Sequence, residues 1–324
     1  MSNQALALPT TALPGTGRVT RNLSRPGTLG RMSAHDTETG AEAAGELGAF
    51  LRSRRARLTP EGVGLTSYGA RRVPGLRREE LAQLAGVSPT YYTRLEQGQS
   101  TNASDAVIDA LARALELDDD ERAHLHDLAR PRPRKRRRPV RPATARPGIV
   151  HLIAAMDAVP TVVMGVRSEI LAWNRLGHAL VGGHHEFEAP GRPSERPNLT
   201  RMLFLDRHAR ELYPRWEEEA ARAVASLRLV AGRHQDDREL AELVGELSLK
   251  SPEFAELWAQ HPVHNCIFGT KLLHHPVVGL LELGFEVLQL PDDSGQRMLT
   301  FLAAPGSASE SALLLLGGLS AAAV

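Results

Sequence analysis

The stretch RREELAQLAGVSPTYYTRLEQG, residues 77–98, constrains the fold more than any other part of the chain. Two short segments with helical apolar spacing meet at Gly86, where a left-handed turn costs little only for glycine. Ala82 is small enough to let the two helices touch. Leu81, Ala85, Val87, Tyr92 and Leu95 fall at inward offsets, Ser88 can cap the second helix, and Pro89 suits its first turn. The pattern predicts a helix-turn-helix built from helices at Arg77–Ala85 and Pro89–Gln97.

The second of these helices is the one such a unit lays in a DNA major groove. Its expected outward face carries Ser88, Thr90, Tyr91, Arg94 and Gln97. Arg94 can read guanine with two hydrogen bonds, and Thr90 can touch a thymine methyl or a phosphate. Tyr91 fits a phosphate contact or plain surface packing equally well. Arg77 and Arg78 open the preceding helix, where exposed N–H groups favour phosphates; a solvated face is the plainer reading. Tyr92 points inward and is read as core.

Charge follows the same division. Residues 41–148 carry 20 Lys+Arg against 14 Asp+Glu, whereas residues 149–324 carry 15 against 22. Only the first of these segments is expected to meet a polyanion such as double-stranded DNA. Helices are predicted from near Ala43 to Leu58, over Ala106–Glu116 with Ser104 or Asp105 as cap, and over Asp119–Leu128. Residues 1–42 are rich in small and polar residues without apolar period and are expected to be disordered, with Met32 an alternative start. Residues 43–130 are the expected DNA-binding domain. Residues 131–148, PRPRKRRRPVRPATARPG, read as a basic, semi-extended linker that either follows phosphates or serves as a solvated tether.

Residues 149–320 read as a second domain of mixed α and β. A helix over 149–157 precedes a hairpin of VPTVVMG and EILAW, after which Asn174 starts a helix to Val181. Helical stripes include Trp216, Leu227, Leu240, Leu247 and Phe254. Strands are expected from Val263 to Ala304, with PDDSGQ as a hairpin loop, and a helix over Ser309–Leu316. No apolar run approaches the roughly 18 residues of a membrane span, and the start lacks a signal-peptide pattern. The single cysteine, Cys266, excludes an internal disulfide, so a cytoplasmic protein is expected. His261, His264 and Cys266 form H-x-x-H-x-C, but zinc sites use a second ligand pair that is missing. No nucleophile elbow, P-loop or dinucleotide fingerprint is present, so neither an enzyme nor a cofactor is expected.

The ending Leu95-Glu96-Gln97-Gly98 resembles the Xre family of helix-turn-helix regulators. That resemblance implies a pairing of Glu96 with Arg55. RRVPGLRREE (71–80) and GVSPTYYTRLEQG resemble a narrower group, the MmyB-like regulators. So do LAWNR (171–175), LYPRWEEEA (212–220), DDREL (236–240), SPEFAELWAQH (251–261) and HHPVVGLLEL (274–283). The resemblance implies an all-α helix-turn-helix DNA-binding domain followed by an α+β, PAS-like domain that holds a long-chain fatty acid. An acyl ligand needs an apolar tube with a polar mouth. Trp173, Phe204, Trp216, Trp258 and Phe285 can wall the tube, or be ordinary core. Asn174, Arg196, Asn198 and His275 can meet a carboxylate, although Asn174 also reads as a helix cap and His275 as a strand start. Where the family often has Arg-Asn, this chain has Arg196-Pro197-Asn198. The expected whole is a homodimeric, ligand-responsive regulator; the alternative is a constitutive DNA-binding protein whose second domain dimerises or recruits a partner.

Overall fold

The computed structural model describes residues 34–65, 75–99, 103–130, 143–291 and 295–322. Its N-terminal half is helical: α1 (Ala34–Arg57), α2 (Arg78–Ala85), α3 (Pro89–Glu96), α4 (Asp105–Ala114) and α5 (Asp119–Ala129). α1 starts well before the expected Ala43, inside the segment expected to be disordered. Residues 34–42, AHDTETGAE, carry no apolar stripe to announce this extension of the helix. The rest of the predicted N-terminal extension, Arg71 and Arg72, and most of the basic linker lie outside the described residues.

Leu47, Phe50 and Leu51 of α1 meet Leu81, Ala82, Tyr92, Leu95, Ile108, Leu111 and Leu125 in one buried core. Leu229 and Val263, from the C-terminal half, join that same core. The N-terminal half is therefore packed directly against the second half, not merely tied to it.

The C-terminal half is an α+β domain. α6 (Pro147–Ala154) leads into β1 (Thr161–Met164), β2 (Ile170–Trp173) and α7 (Arg175–Val181). Then come α8 (Leu199–Leu205), α9 (Arg207–Leu212), α10 (Trp216–Arg233), α11 (Arg238–Lys250) and α12 (Pro252–Ala259). β3 (Phe268–His275), β4 (Gly279–Gln289), β5 (Arg297–Leu302) and α13 (Ala308–Ala322) complete it. The strands form one antiparallel sheet in the order β2-β1-β5-β4-β3. Among the described residues, no helix is long and apolar enough to cross a membrane.

Burial follows from which sheet faces are covered. Val163, Leu171 and Met298 pack with Ile153 of α6 on one face, while Val162, Ile170, Leu299 and Phe301 face α7 and α13 on the other. That is why β1 is buried along its whole length. In β4 only one face is covered, so Leu281, Leu283 and Phe285 are buried while Leu280, Glu282 and Glu286 are exposed.

Several expectations shift in detail. β3 begins at Phe268, five residues after Val263, and α13 runs beyond Leu316 to Ala322. α8 and α9 were not separately predicted; at 7 and 6 residues they are too short to display a period. Their signal is the capping pair Asn198 and Asp206, which accept backbone N–H groups at Thr200, Arg201 and His208.

Asn174 secures the join between the hairpin and α7. Its Oδ1 accepts from Gly177 N at 2.7 Å and Thr161 N at 3.0 Å, and its Nδ2 donates to Met156 O at 2.8 Å and Val159 O at 2.7 Å. The bonds from Thr161 N and Gly177 N are buried, so losing the side chain strands two backbone N–H groups at once. Asn174→Ala should lower unfolding stability by about 2–4 kcal/mol, read as a reduced midpoint in urea. An unchanged midpoint would refute this structural role.

Candidate functional site

The presumed DNA-facing surface is assembled by the turn at Gly86. Gly86 sits at φ 67°, and its N–H bonds back to Ala82 O and Gln83 O, closing α2. Ser88 then caps α3 by accepting from Tyr91 N at 3.1 Å, with Pro89 in the first turn. Ser88, Thr90, Arg94 and Gln97 are exposed, Tyr91 is half-buried, and Tyr92 is buried as expected. Thr90, Arg94 and Gln97 recur at i, i+4 and i+7, so α3 presents them as one row.

α3 is held in place by Glu96, whose side chain is fully buried. Arg55 meets it with two bonds, Nε to Oε2 at 3.1 Å and Nη2 to Oε1 at 3.0 Å, and also donates to Leu76 O at 2.6 Å. Arg52 donates to Glu96 O at 3.1 Å. Gly48 lets α1 come this close: a Cβ there would lie 2.1 Å from the Glu96 carbonyl oxygen. Burial opposes a charged Glu96, but the bonds from Arg55 and Arg78 outweigh it and hold the carboxyl below its ordinary value.

Arg78 therefore has a different place from the one expected. Its Nε and Nη2 both bond to Glu96 Oε1 at 3.1 Å, drawing the guanidinium inward to the buried carboxylate. Arg77 stays exposed at the start of α2, where its backbone N–H bonds to Glu80 Oε2 at 2.6 Å.

A cavity of about 1220 Å³ lies between the sheet and α7–α10 and α13. Met164, Leu180, Leu212, Phe285, Leu299 and Phe301 supply much of its apolar wall. Of the predicted ligand residues, Phe285 and His275 line it. His275 is already spent: its Nδ1 accepts from Val277 N at 3.2 Å, so Nε2 carries the proton toward Ala179 O at 3.0 Å. Burial holds this imidazole below its usual pKa, which fits the neutral form.

The other predicted lining residues lie outside the cavity. Trp173 packs in the core and donates to Phe187 O at 2.8 Å, standing behind the lining residues His178 and Phe187. Trp216 donates to Leu203 O at 2.8 Å and meets Phe204 edge-on, and Phe204 meets Phe254 in the same way. Trp258 stacks on Phe254 and lies under Arg228, 3.7 Å from its ring centre. Asn174 and Asn198 are consumed as caps, and Asn198 Nδ2 donates to Arg167 O at 2.8 Å. Arg196 is turned to Pro190 O at 2.9 Å. Phe204, Trp216, Phe254 and Trp258 fill the joint between α8, α10, α11 and α12, whereas Trp173 belongs to the sheet core.

His184, Asp206 and His208 form a rim cluster that the sequence did not single out as a group. The carboxylate accepts from His184 Nε2 at 2.6 Å and from His208 Nδ1 at 2.9 Å. The rings lie 4.3 Å apart and within 10° of parallel. A shared zinc ion would have to lie about 2 Å from each ring nitrogen and in both ring planes, which parallel stacked rings forbid. His261, His264 and Cys266 diverge: His261 O accepts from Arg54, His264 approaches Asp120, and Cys266 lines the cavity.

α10 joins the two halves. Glu219, Arg222, Ala223 and Ser226 line the cavity. From the same helix, Arg228 is 1% exposed and bonds to Glu46 of α1 at 2.9 Å, Leu229 enters the N-terminal core, and Arg233 bonds to Asp127 of α5 at 3.1 Å. Across the same join Arg54 donates to His261 O at 2.7 Å. Burial pulls Arg228 and Arg54 down to about 10. Burial first, then these two cations, push the enclosed His124 down to about 3, so it is neutral there.

Two family models match the chain. Residues 145–316 match the MmyB-like transcription regulator ligand binding domain, and residues 46–125 match a helix-turn-helix domain. No curated protein matches the chain.

The Glu96 geometry predicts a pH-dependent cost. Glu96→Gln leaves Arg55 with no buried counter-charge and should destabilise the N-terminal half by about 3 kcal/mol at neutral pH. Because the folded carboxyl titrates below its ordinary 4.5, the wild-type advantage is complete above that value. It fades as pH falls through the lower, folded value. Parallel urea melts of both proteins across pH 3–7 measure this, and a pH-independent difference would contradict it.

Proposed function

The chain belongs to the family of transcription regulators that carry the MmyB-like ligand-binding domain, and we propose that it binds specific operators under the control of an acyl-type ligand. The matched domains make it a DNA-binding transcription regulator with a ligand-sensing domain. Beyond that, we read α3 as the groove-reading helix, with Arg94 on guanine, Thr90 and Gln97 on neighbouring bases or phosphates, and Arg77 on the backbone. Ser88 and Tyr91 flank that row. Arg78 serves Glu96 first. A helix of two turns reaches few base pairs, so two copies across paired half-sites are expected.

The ligand we propose is a long-chain fatty acid or a close relative, held in the cavity in a domain we read as PAS-like. The apolar wall supports an alkyl chain, and the resemblance supports the acyl class. The observation that carries regulation is α10, one rigid helix that walls the cavity and packs on α1 and α5. A ligand that prefers one position of α10 shifts the orientation of α3 by that preference and no more.

DNA recognition is tested by mobility shift with the upstream region of its own gene over a salt series. Arg94→Ala should lose about 1–3 kcal/mol of operator preference while keeping non-specific affinity. Unchanged preference would remove Arg94 from the reading role. Coupling is tested with Arg228→Gln. It should still take up dodecanoate, but dodecanoate should no longer alter its operator affinity, whereas a response equal to wild type would exclude α10 as the link.

A further inference from the structure

The cavity is unevenly charged, and the unevenness follows the backbone. On β5 every second residue faces the cavity: Arg297, Leu299 and Phe301 all line it. Arg297 is thus one charged residue at the head of an apolar row. Opposite it, Glu219, Arg222 and Ser226 line the cavity from a single face of α10, and Lys271 joins them from β3.

The cations there are not equivalent. Lys271 Nζ is bonded to Glu219 Oε2, and Arg222 Nη1 lies 2.6 Å from Glu219 Oε1, so one carboxylate occupies both. Arg297 has no carboxylate within ion-pair distance among the described residues. Its hydrogen bond there is a long one, Nη1 to Ser226 Oγ at 3.4 Å. Burial depresses its pKa, as expected of a desolvated cation. Arg297 is half-buried and feels the Glu169 carboxylate only from beyond ion-pair distance, so its charge is incompletely compensated, and a guanidinium presents a fork of donors matched to a carboxylate.

We propose that Arg297 is the anion anchor of this cavity: it receives the carboxylate of an amphiphilic ligand whose alkyl chain lies along Leu299 and Phe301. This rests on the reading of the cavity as an acyl site. It moves the polar anchor away from Arg196 and Asn198, which lie outside the cavity, and from His275, whose two ring nitrogens are already bonded to the protein. Glu219 holds Lys271 and Arg222 in place on one side, and Ser226 orients the anchor on the other.

Calorimetry on delipidated full-length protein near neutral pH tests this with dodecanoate and dodecanol, which share a chain and differ in the head. Wild type should bind the acid more tightly. Arg297→Gln should lower that preference by about tenfold or more, a charge-assisted pair being replaced by a neutral one. Arg297→Lys should recover part of it. Dodecanol affinity should be the same in all three proteins, which shows that the cavity is intact. An acid preference retained in Arg297→Gln overturns the anchor. So does equal binding of acid and alcohol by wild type, which leaves the acyl reading of the cavity standing. If wild type binds neither compound, the acyl reading falls and the anchor falls with it.

Discussion

The Arg228 guanidinium sits where the two halves of the chain meet, and the packing of one half on the other depends on it. It is bonded to Glu46 of α1 and to Trp258 O, and it lies flat on the Trp258 ring. A cation this deeply buried is stable only while those partners stay in register. Leu229 beside it belongs to the N-terminal core, so the charged contact and the apolar contact shift together. The same helix forms part of the cavity wall a turn earlier, through Ser226. A movement of α10 therefore reaches α1 without passing through a flexible segment.

From α1 the path to α3, the helix proposed to read the groove, is short. α1 touches the end of α3 through Gly48 and Arg52, and Arg55 fixes the Glu96 side chain. Because Glu96 is buried and bridged to both α1 and α2, α3 cannot rotate alone; the helical unit turns as one body. Such rigidity favours a switch that changes the angle between two units over one that melts the recognition helix. It also explains why Arg78 is partly withdrawn from the DNA-facing surface, since a buried carboxylate is better compensated by two guanidinium groups than by one.

Legibility in the sequence followed the range of the interaction. The turn at Gly86, the cap at Ser88, the inward Tyr92 and the Glu96–Arg55 pair all lie within the reach of local pattern or of a family motif. So did the β1–β2 hairpin and the Asn174 cap. The cavity did not. Its lining comes from strands and helices far apart in sequence, and the rule that large aromatics wall a pocket selected Phe204, Trp216 and Trp258, which fill a helix joint instead, and Trp173, which packs in the sheet core. The polar residues at its supposed mouth were judged by type alone. Asn198 and His275 have the right chemistry for a carboxylate, but backbone groups of other elements claim their hydrogen-bonding atoms, and Arg196 turns to Pro190 O outside the cavity.

Arg297 shows what reading was available and missed. RMLTFL is buried on both faces and so shows no polar–apolar alternation, but once Leu299 and Phe301 are placed on the cavity side, strand geometry puts Arg297 there too. A charged residue in phase with core positions on a central strand is costly unless something neutralises it. Glu219, the carboxylate that α10 brings to the cavity, is already divided between Lys271 and Arg222, and Glu169 acts on Arg297 only from beyond ion-pair distance. The charge left over on β5 is thus a property of strand phase and helix spacing together, and it appears only when the two elements are placed face to face. The anchor proposed for the head of the ligand and the helix proposed to carry the signal to α1 are joined, on this geometry, by the long hydrogen bond from Arg297 to Ser226.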